Sequence, residues 1–235
     1  MRNFSPKSQS ESTAFRYEKK FVIEGMSAAD VITVLKTHPA MFRELYPMRY
    51  VNNIYLDSPL LSDYYSNVNG YHMRQKVRVR WYHDLLRMVK DAILEFKIKE
   101  GEVGTKEQFP FPVFSMDASL SERNFRDIVI NSKLPPQVKY RLRNLEFAIL
   151  NRYQRWYYAT PDKRFRITVD SDLNFYNLGK LANQYLHHTR VQNKIILEIK
   201  YAVDDGKGAH KICSALPFRV TRNSKYITGI DSVYI

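Results

Sequence analysis

The chain has 235 residues, with 37 Lys+Arg against 24 Asp+Glu, and so a formal net charge of 37 − 24 = +13. At 44% hydrophobic and 14% aromatic it has the composition of a folded domain, and no run approaches the ~20 apolar residues of a membrane-spanning helix. One cysteine, Cys213, excludes an internal disulfide framework and suits a reducing cytoplasm, while the surplus of bases points to an anionic partner.

Residues 1–14 are predicted to be a flexible polar tail without a signal-peptide core, and 15–235 a single domain. From Phe15 the chain alternates as a strand, with Phe15, Tyr17, Phe21 and Ile23 spaced by two or four. Ser27, with Asp30 three residues on and Val31, Ile32, Val34 and Leu35 beyond, predicts a capped helix to about His38. Tyr50 to Leu56 is a second strand, and Tyr64 and Tyr65 fall in a short helical or irregular link. Strands follow over Arg74 to Tyr82 and Ile93 to Lys99. Lys106 to Val113, broken by Pro110 and Pro112, is an edge or a strand end. Ser119 to Asn131 and Pro136 to Leu145 read as helices. Phe147 to Tyr158 and Phe165 to Asp170 form a hairpin around Thr160-Pro161-Asp162-Lys163. Lys194 to Tyr201 is a further strand, followed by a helix near Lys207 to Ala215 and a mixed segment from Phe218. The class is α+β, with about eight mainly antiparallel strands in a closed or strongly curved sheet.

Residues i and i+2 of a strand share a face, which locates the charge. Arg74, Lys76, Arg78 and Arg80 oppose Val77, Val79 and Trp81; Glu95, Lys97 and Lys99 oppose Leu94, Phe96 and Ile98. Arg164, Arg166, Thr168 and Asp170 share a face, as do Glu198 and Lys200, and Arg16, Glu18 and Lys20; Arg152 starts another. A single basic strand face can simply be the wet side of a sheet. Repetition in strand after strand, dominated by Arg, instead predicts a concave anion-binding surface. Arg offers forked donors to phosphate oxygens, and Glu offers a hard oxygen ligand for Mg²⁺ or Mn²⁺. Glu198 is the acid that stands out among these bases.

Other stretches read as structural. The six histidines, the His187-His188 pair included, are expected at the surface, and His210 with Cys213 does not make a zinc site. Tyr153, Trp156, Tyr157 and Tyr158 are expected mainly to pack rather than to stack bases. Gly101 to Gly104 lacks a P-loop ending and is a turn.

Six segments occur in an order and spacing that resembles the VTC domain. They are Arg16-Tyr-Glu-Lys-Lys20-Phe, Val77-Arg-Val-Arg80-Trp-Tyr, Leu94-Glu-Phe-Lys97, Arg166-Ile-Thr-Val-Asp170, Leu197-Glu-Ile-Lys200 and Ser224-Lys225-Tyr226. This is the catalytic domain of polyphosphate polymerases, a branch of the triphosphate tunnel metalloenzymes (the CYTH superfamily). The resemblance implies a closed antiparallel barrel of about eight strands, with helices packed outside and a cationic tunnel within. It also implies transfer of the ATP γ-phosphoryl group to polyphosphate with Mn²⁺ or Mg²⁺. By resemblance, Arg78, Arg80, Lys97 and Arg166 act on the transferring phosphates, and Lys20, Arg152, Lys200, Arg222, Ser224 and Lys225 bind substrate. Glu198 holds the metal, and Glu18 joins it as a weaker candidate. The superfamily's first-strand Glu-x-Glu-x-Lys stands here as Arg16-x-Glu18-x-Lys20, which favours the VTC branch over a tunnel hydrolase. The partners implied are ATP and inorganic polyphosphate, with no specific nucleic acid. The setting implied is the cytoplasm, at the inner face of the membrane if a membrane partner exports the product. The rival expectations are a tripolyphosphate or nucleoside-triphosphate hydrolase and a module that binds polyphosphate or nucleic acid without turnover.

Overall fold

The computed structural model describes residues 16–101, 103–179 and 188–235; the predicted tail and His187 lie outside them. The chain opens with β1 (Arg16–Glu24), α1 (Ala28–Lys36), β2 (Arg43–Asp57), α2 (Ser62–Val68) and β3 (Met73–Tyr82). It continues through β4 (Arg87–Val89), β5 (Ile93–Glu100), β6 (Val103–Pro110), β7 (Phe114–Met116), α3 (Glu122–Ile130) and α4 (Pro136–Leu142). The last part holds β8 (Glu146–Ala159), β9 (Arg166–Tyr176), β10 (His188–Val191), β11 (Lys194–Ala202), α5 (Gly206–Ser214), β12 (Val220–Thr221) and α6 (Lys225–Tyr234). Local chemistry sets several of these bounds. Ser27 and Asp30 make a reciprocal capping box at the start of α1. β9 runs past Asp170 through a one-residue register shift near Asp172, whose φ is 52°.

Ten strands form one antiparallel sheet in the order β12-β1-β11-β9-β8-β2-β3-β5-β6, with β10 added on β9; β4 and β7 form a separate pair. The expected closed barrel of about eight strands is therefore corrected in two respects. There are more strands, and the ladder among the described residues stays open, with β6 paired to β5 and β12 to β1. The sheet is nevertheless strongly curled. β1 and β5 stand six places apart, which in a flat sheet at ~4.8 Å per strand would be about 29 Å. Yet Lys97 Nζ on β5 lies 3.2 Å from Glu18 Oε2 on β1.

Alternation assigns the two faces. One convex core packs α3, α4 and the β4–β7 pair on Val77, Val79, Trp81, Leu94 and Phe96. A second packs α1 and α5 on Phe21, Ile23, Ile167, Val169, Leu197 and Ile199. The third core lies inside the curl, where Tyr226 and Ile230 of α6 and Tyr64 of α2 meet Val51, Tyr55, Ile149, Tyr153 and Phe175. Helices thus cover the outside as expected, but α6 and α2 pack on the inner face. His38 is also not at the surface. It is buried, accepting from the Ala40 N–H at Nδ1 and placing Nε2 3.1 Å from the Ile212 carbonyl.

Candidate active site

The concave face is built from the strand positions opposite these outer cores. β1 contributes Glu18 and Lys20; its partner β11 sets Glu198 opposite Lys20 and Lys200 opposite Glu18. β9 sets Thr168 beside Glu198 and Arg166 beside Lys200. β3 and β5 bring Arg78 opposite Glu95 and Lys76 opposite Lys97.

Carboxylates hold most of the cations at three stations. At the first, Lys20 Nζ is 2.7 Å from Glu18 and 3.8 Å from Glu198, and Lys200 Nζ is 2.8 Å from Glu198. Burial pushes the Glu198 carboxyl up, but Lys200, Lys20, Arg155 and Lys97 outweigh it and hold the group well below the usual carboxylate range. Glu18 is also lowered, with burial and Glu198 opposing the pull of Lys97, Lys20 and Lys200. At the second station Glu95, 2% exposed, accepts from Arg78 Nε at 2.6 Å and Gln108 Nε2 at 2.7 Å. Arg80 and Lys106 stand 3.8 and 3.7 Å from the same carboxylate. At the third, Asp170 is fully buried and bidentate to Arg155 at 2.5 and 2.7 Å, with Lys225 Nζ at 2.5 Å.

α6 delivers its first residues to this face. Lys20 Nζ donates to the Asn223 carbonyl at 3.1 Å, and Lys76 Nζ is 2.8 Å from Ser224 Oγ. Lys76 has no carboxylate within ion-pair distance among the described residues. Burial, then repulsion by Lys20, Lys97 and Arg78, pushes its amine down to about 7. Beside these groups Arg49 lies over the rings of Tyr46, Tyr82 and Tyr157, at 4.9, 5.9 and 5.7 Å.

Most of the residues named from sequence converge here: Lys20, Arg78, Arg80, Lys97, Lys200, Ser224, Lys225, Glu198 and Glu18 take part in the contacts above, and Arg166 joins their face by register. Arg152 does not. It lies on the opposite face, its guanidinium 3.9 Å over the ring of Tyr50, because Arg152 and the inward Asn151, Tyr153 and Arg155 have opposite parity on β8. The β8 arginine that enters the concave face is Arg155, held there by Asp170. Arg222 is exposed on the segment before α6 and takes part in none of the contacts above. Arg164, read with the Arg166 face, is exposed and paired with Asp205 instead. Asp170 and Glu95, unassigned from sequence, anchor two of the stations. Their signal was available as acids at even spacing inside basic faces. The tyrosines around Arg49 come from three strands; Tyr157 stood in a local aromatic cluster read as packing, while Tyr46 and Tyr82 carried no such signal.

Glu18 and Glu198, which share Lys20 Nζ at 2.7 and 3.8 Å, fit a hard divalent cation whose remaining ligands are water and phosphate oxygens. No cluster of three or more His, Cys, Asp or Glu residues capable of holding a metal occurs among the described residues, so the fit is to a shared site rather than an all-protein cage. No helix among them is long and apolar enough to cross a membrane.

A family model described as "VTC domain" matches residues 15–234. No curated protein matches the chain. Solved structures with similarity include a candidate adenylate cyclase from Vibrio parahaemolyticus, at 10% identity and TM-score 0.49, covering 90% of this chain and 95% of that one. A protein from Pyrococcus horikoshii OT3 is 13% identical at TM-score 0.48, covering 92% and 99%. A chain of the Schizosaccharomyces pombe Mediator head module is 9% identical at TM-score 0.45, covering 86% and 89%.

Proposed function

As the chain belongs to the VTC domain family, we propose that it transfers the γ-phosphoryl group of ATP to a polyphosphate chain held on the concave face. The observation that carries this reading is the convergence of Lys and Arg from β1, β3, β5, β9, β11 and α6 on a few carboxylates. Most of these cations are paired, so the face is pre-shaped; Lys76 and Arg166, which have no carboxylate partner among the described residues, leave a surplus that a phosphate chain can satisfy.

Phosphoryl transfer asks a protein chiefly for in-line positioning and for neutralisation of charge spreading over the equatorial oxygens. Arg78 and Arg80 of β3, held by Glu95 of the neighbouring β5, present planar donors in fixed orientation. Lys97, Lys20 and Lys200 act as point charges across the curl, and Arg166 closes the row. Lys225 and Ser224 meet the chain where α6 begins. A terminal polyphosphate oxygen is already ionised, so elongation needs no protein base. Glu198 and Glu18 would hold Mn²⁺ or Mg²⁺, which supplies charge neutralisation to the bound phosphates when present. Tyr46, 50% exposed and next to Arg49, offers a ring face to the adenine.

The test is incubation of the purified protein with ATP and Mn²⁺ or Mg²⁺, with ADP, free phosphate and chain length followed together. ADP with long chains supports the polymerase, and Glu198→Gln should remove both. Free phosphate without chains would show a hydrolase, and salt-sensitive binding without turnover a binding module.

A further inference from the structure

We propose that Ser224 is itself a phosphoryl acceptor, with Lys76 as the base that takes its proton, so that this chain carries a phosphoserine on the concave face. The inference rests on the reading of ATP as phosphoryl donor and names a first acceptor for it.

The carrying observation is a serine–lysine pair made by the fold rather than by sequence proximity. Lys76 Nζ, near the start of β3, lies 2.8 Å from Ser224 Oγ, 148 positions further along the chain. The hydroxyl stands within the cationic face that would hold the phosphates of the donor. A serine hydroxyl is a weak nucleophile unless a neighbouring base removes its proton, and a desolvated lysine among other cations is such a base. The groups facing Lys76 are Lys20 and Glu18 from β1, Lys97 from β5, Arg78 on its own strand and Asp63 from α2. Burial first, and then these cations outweighing the acids, push the amine down to about 7, so a substantial fraction is unprotonated at neutral pH. Lys76 Nζ donates to Ser224 Oγ, which also accepts from the Ile227 N–H as the cap of α6; once the amine has lost its proton, the first bond reverses and Oγ donates to it.

The step balances. The Ser224 hydroxyl proton passes to the Lys76 amine, and Oγ forms a bond to the γ-phosphorus of ATP. The bond from that phosphorus to the β–γ bridging oxygen breaks, and ADP leaves with its electron pair. The protein gains a phosphate of about −2 charge and Lys76 becomes an ammonium. The product is then held by the cations already present: Lys76, Lys20, which reaches the adjoining Asn223 carbonyl at 3.1 Å, and Lys225. Its ionised oxygens point at the same donors as a chain terminus does, so the phosphoserine can accept the next phosphoryl group.

The experiment incubates the full chain with γ-labelled ATP and Mn²⁺, measures ADP, and maps phosphate by tandem mass spectrometry. One added phosphoryl group on Ser224 is expected. Ser224→Ala should lose it, and Ser224→Thr, which keeps the hydroxyl and the helix start, should carry it as phosphothreonine. Lys76→Arg keeps the positive charge but cannot take the proton. It should slow labelling by roughly 10²–10⁴-fold and remove the rise in labelling rate between pH 6 and 8. ADP and polyphosphate formed with no phosphate on Ser224 overturn this inference alone. Labelling that persists at full rate in Lys76→Arg overturns the role of the lysine. Absence of any ATP turnover overturns this inference together with the ATP reading.

Discussion

Arg152 and Arg155 are three positions apart on β8, an odd step that inverts side-chain direction in a strand. Arg155 therefore enters the concave face and pairs with the fully buried Asp170, while Arg152 rests on Tyr50 outside. Breaking a buried pair from one side leaves an uncompensated charge, so Arg155→Met should cost about 3 kcal/mol in a denaturant titration. That value lies at the low end for such pairs because Lys225 stays on Asp170. Arg152→Met forfeits a cation–π contact of about 1 kcal/mol or less and should leave ATP turnover intact. Which of the two arginines faces inward was legible only through strict alternation from Tyr153, since composition treats them alike.

Lys76 and Asp63 set a pH dependence of opposite signs. The Lys76 amine is pushed down to about 7, so between pH 7 and 10.5 the unfolded chain holds a proton that the folded chain lacks. Its contribution to stability is therefore present at high pH and lost as pH falls through 7, with a slope of at most about 1.4 kcal/mol per unit. Burial and then Asp57 push the Asp63 carboxyl up to about 7, so its contribution is present below 3.8 and lost as pH rises through 7. In wild-type-minus-variant stability profiles, Lys76→Met should show an upward limb between pH 7 and 10, and Asp63→Asn a downward limb between pH 4 and 7. A flat difference profile for either would contradict the assignment.

At the scale of elements, α6 ties the inner core to the candidate site. Its Gly229 faces Phe175 and Ile149 so closely that an added Cβ would fall 2.6 Å from Phe175 Cδ1 and 3.2 Å from Ile149 Cδ1. Both rings and methyls belong to a packed core, so Gly229→Ala must lift the helix or displace Phe175. The expected cost is about 1–3 kcal/mol, and the displacement travels to Ser224 and Lys225. Turnover should fall further than the stability loss explains, which kinetics measured well below the melting temperature would reveal. The sequence pattern carried the long alternating strands β1, β3, β5 and β11 and the boxed helix α1. It lost the first half of β2, where bulges break the alternation around Pro47, and the second half of β9, beyond the bulge at Asp172. Strands of three or four residues, β4, β7 and β10, are too short for a period to register. The placement of α6 inside the curl is a tertiary choice, set by Tyr226 and Ile230 meeting Phe175 and Ile149.

For the whole molecule, the charge of +13 has an address. Much of it faces inward, where curvature rather than sequence proximity assembles it. That convergence was foreseeable only as a demand of repeated basic faces, because no single strand encodes its curl. A polyphosphate that satisfies the surplus should stabilise the fold. Tripolyphosphate at 100 times its Kd should add about 2.7 kcal/mol, raise the melting temperature, and lose much of that effect as salt increases. A melting temperature unmoved by tripolyphosphate at low salt would count against the inward face as its site.

Between β1 and β5 the two flanks of the sheet are joined by Lys97 and Glu18 side chains, at 3.2 Å, without a shared ladder. A seam stitched by ions parts without breaking a single backbone hydrogen bond. Phosphate that draws Lys97 away from Glu18 also loosens the stitch. The width of the groove is then governed by its contents: narrow while the stitch holds, and free to widen along its length as a polyanion settles into it.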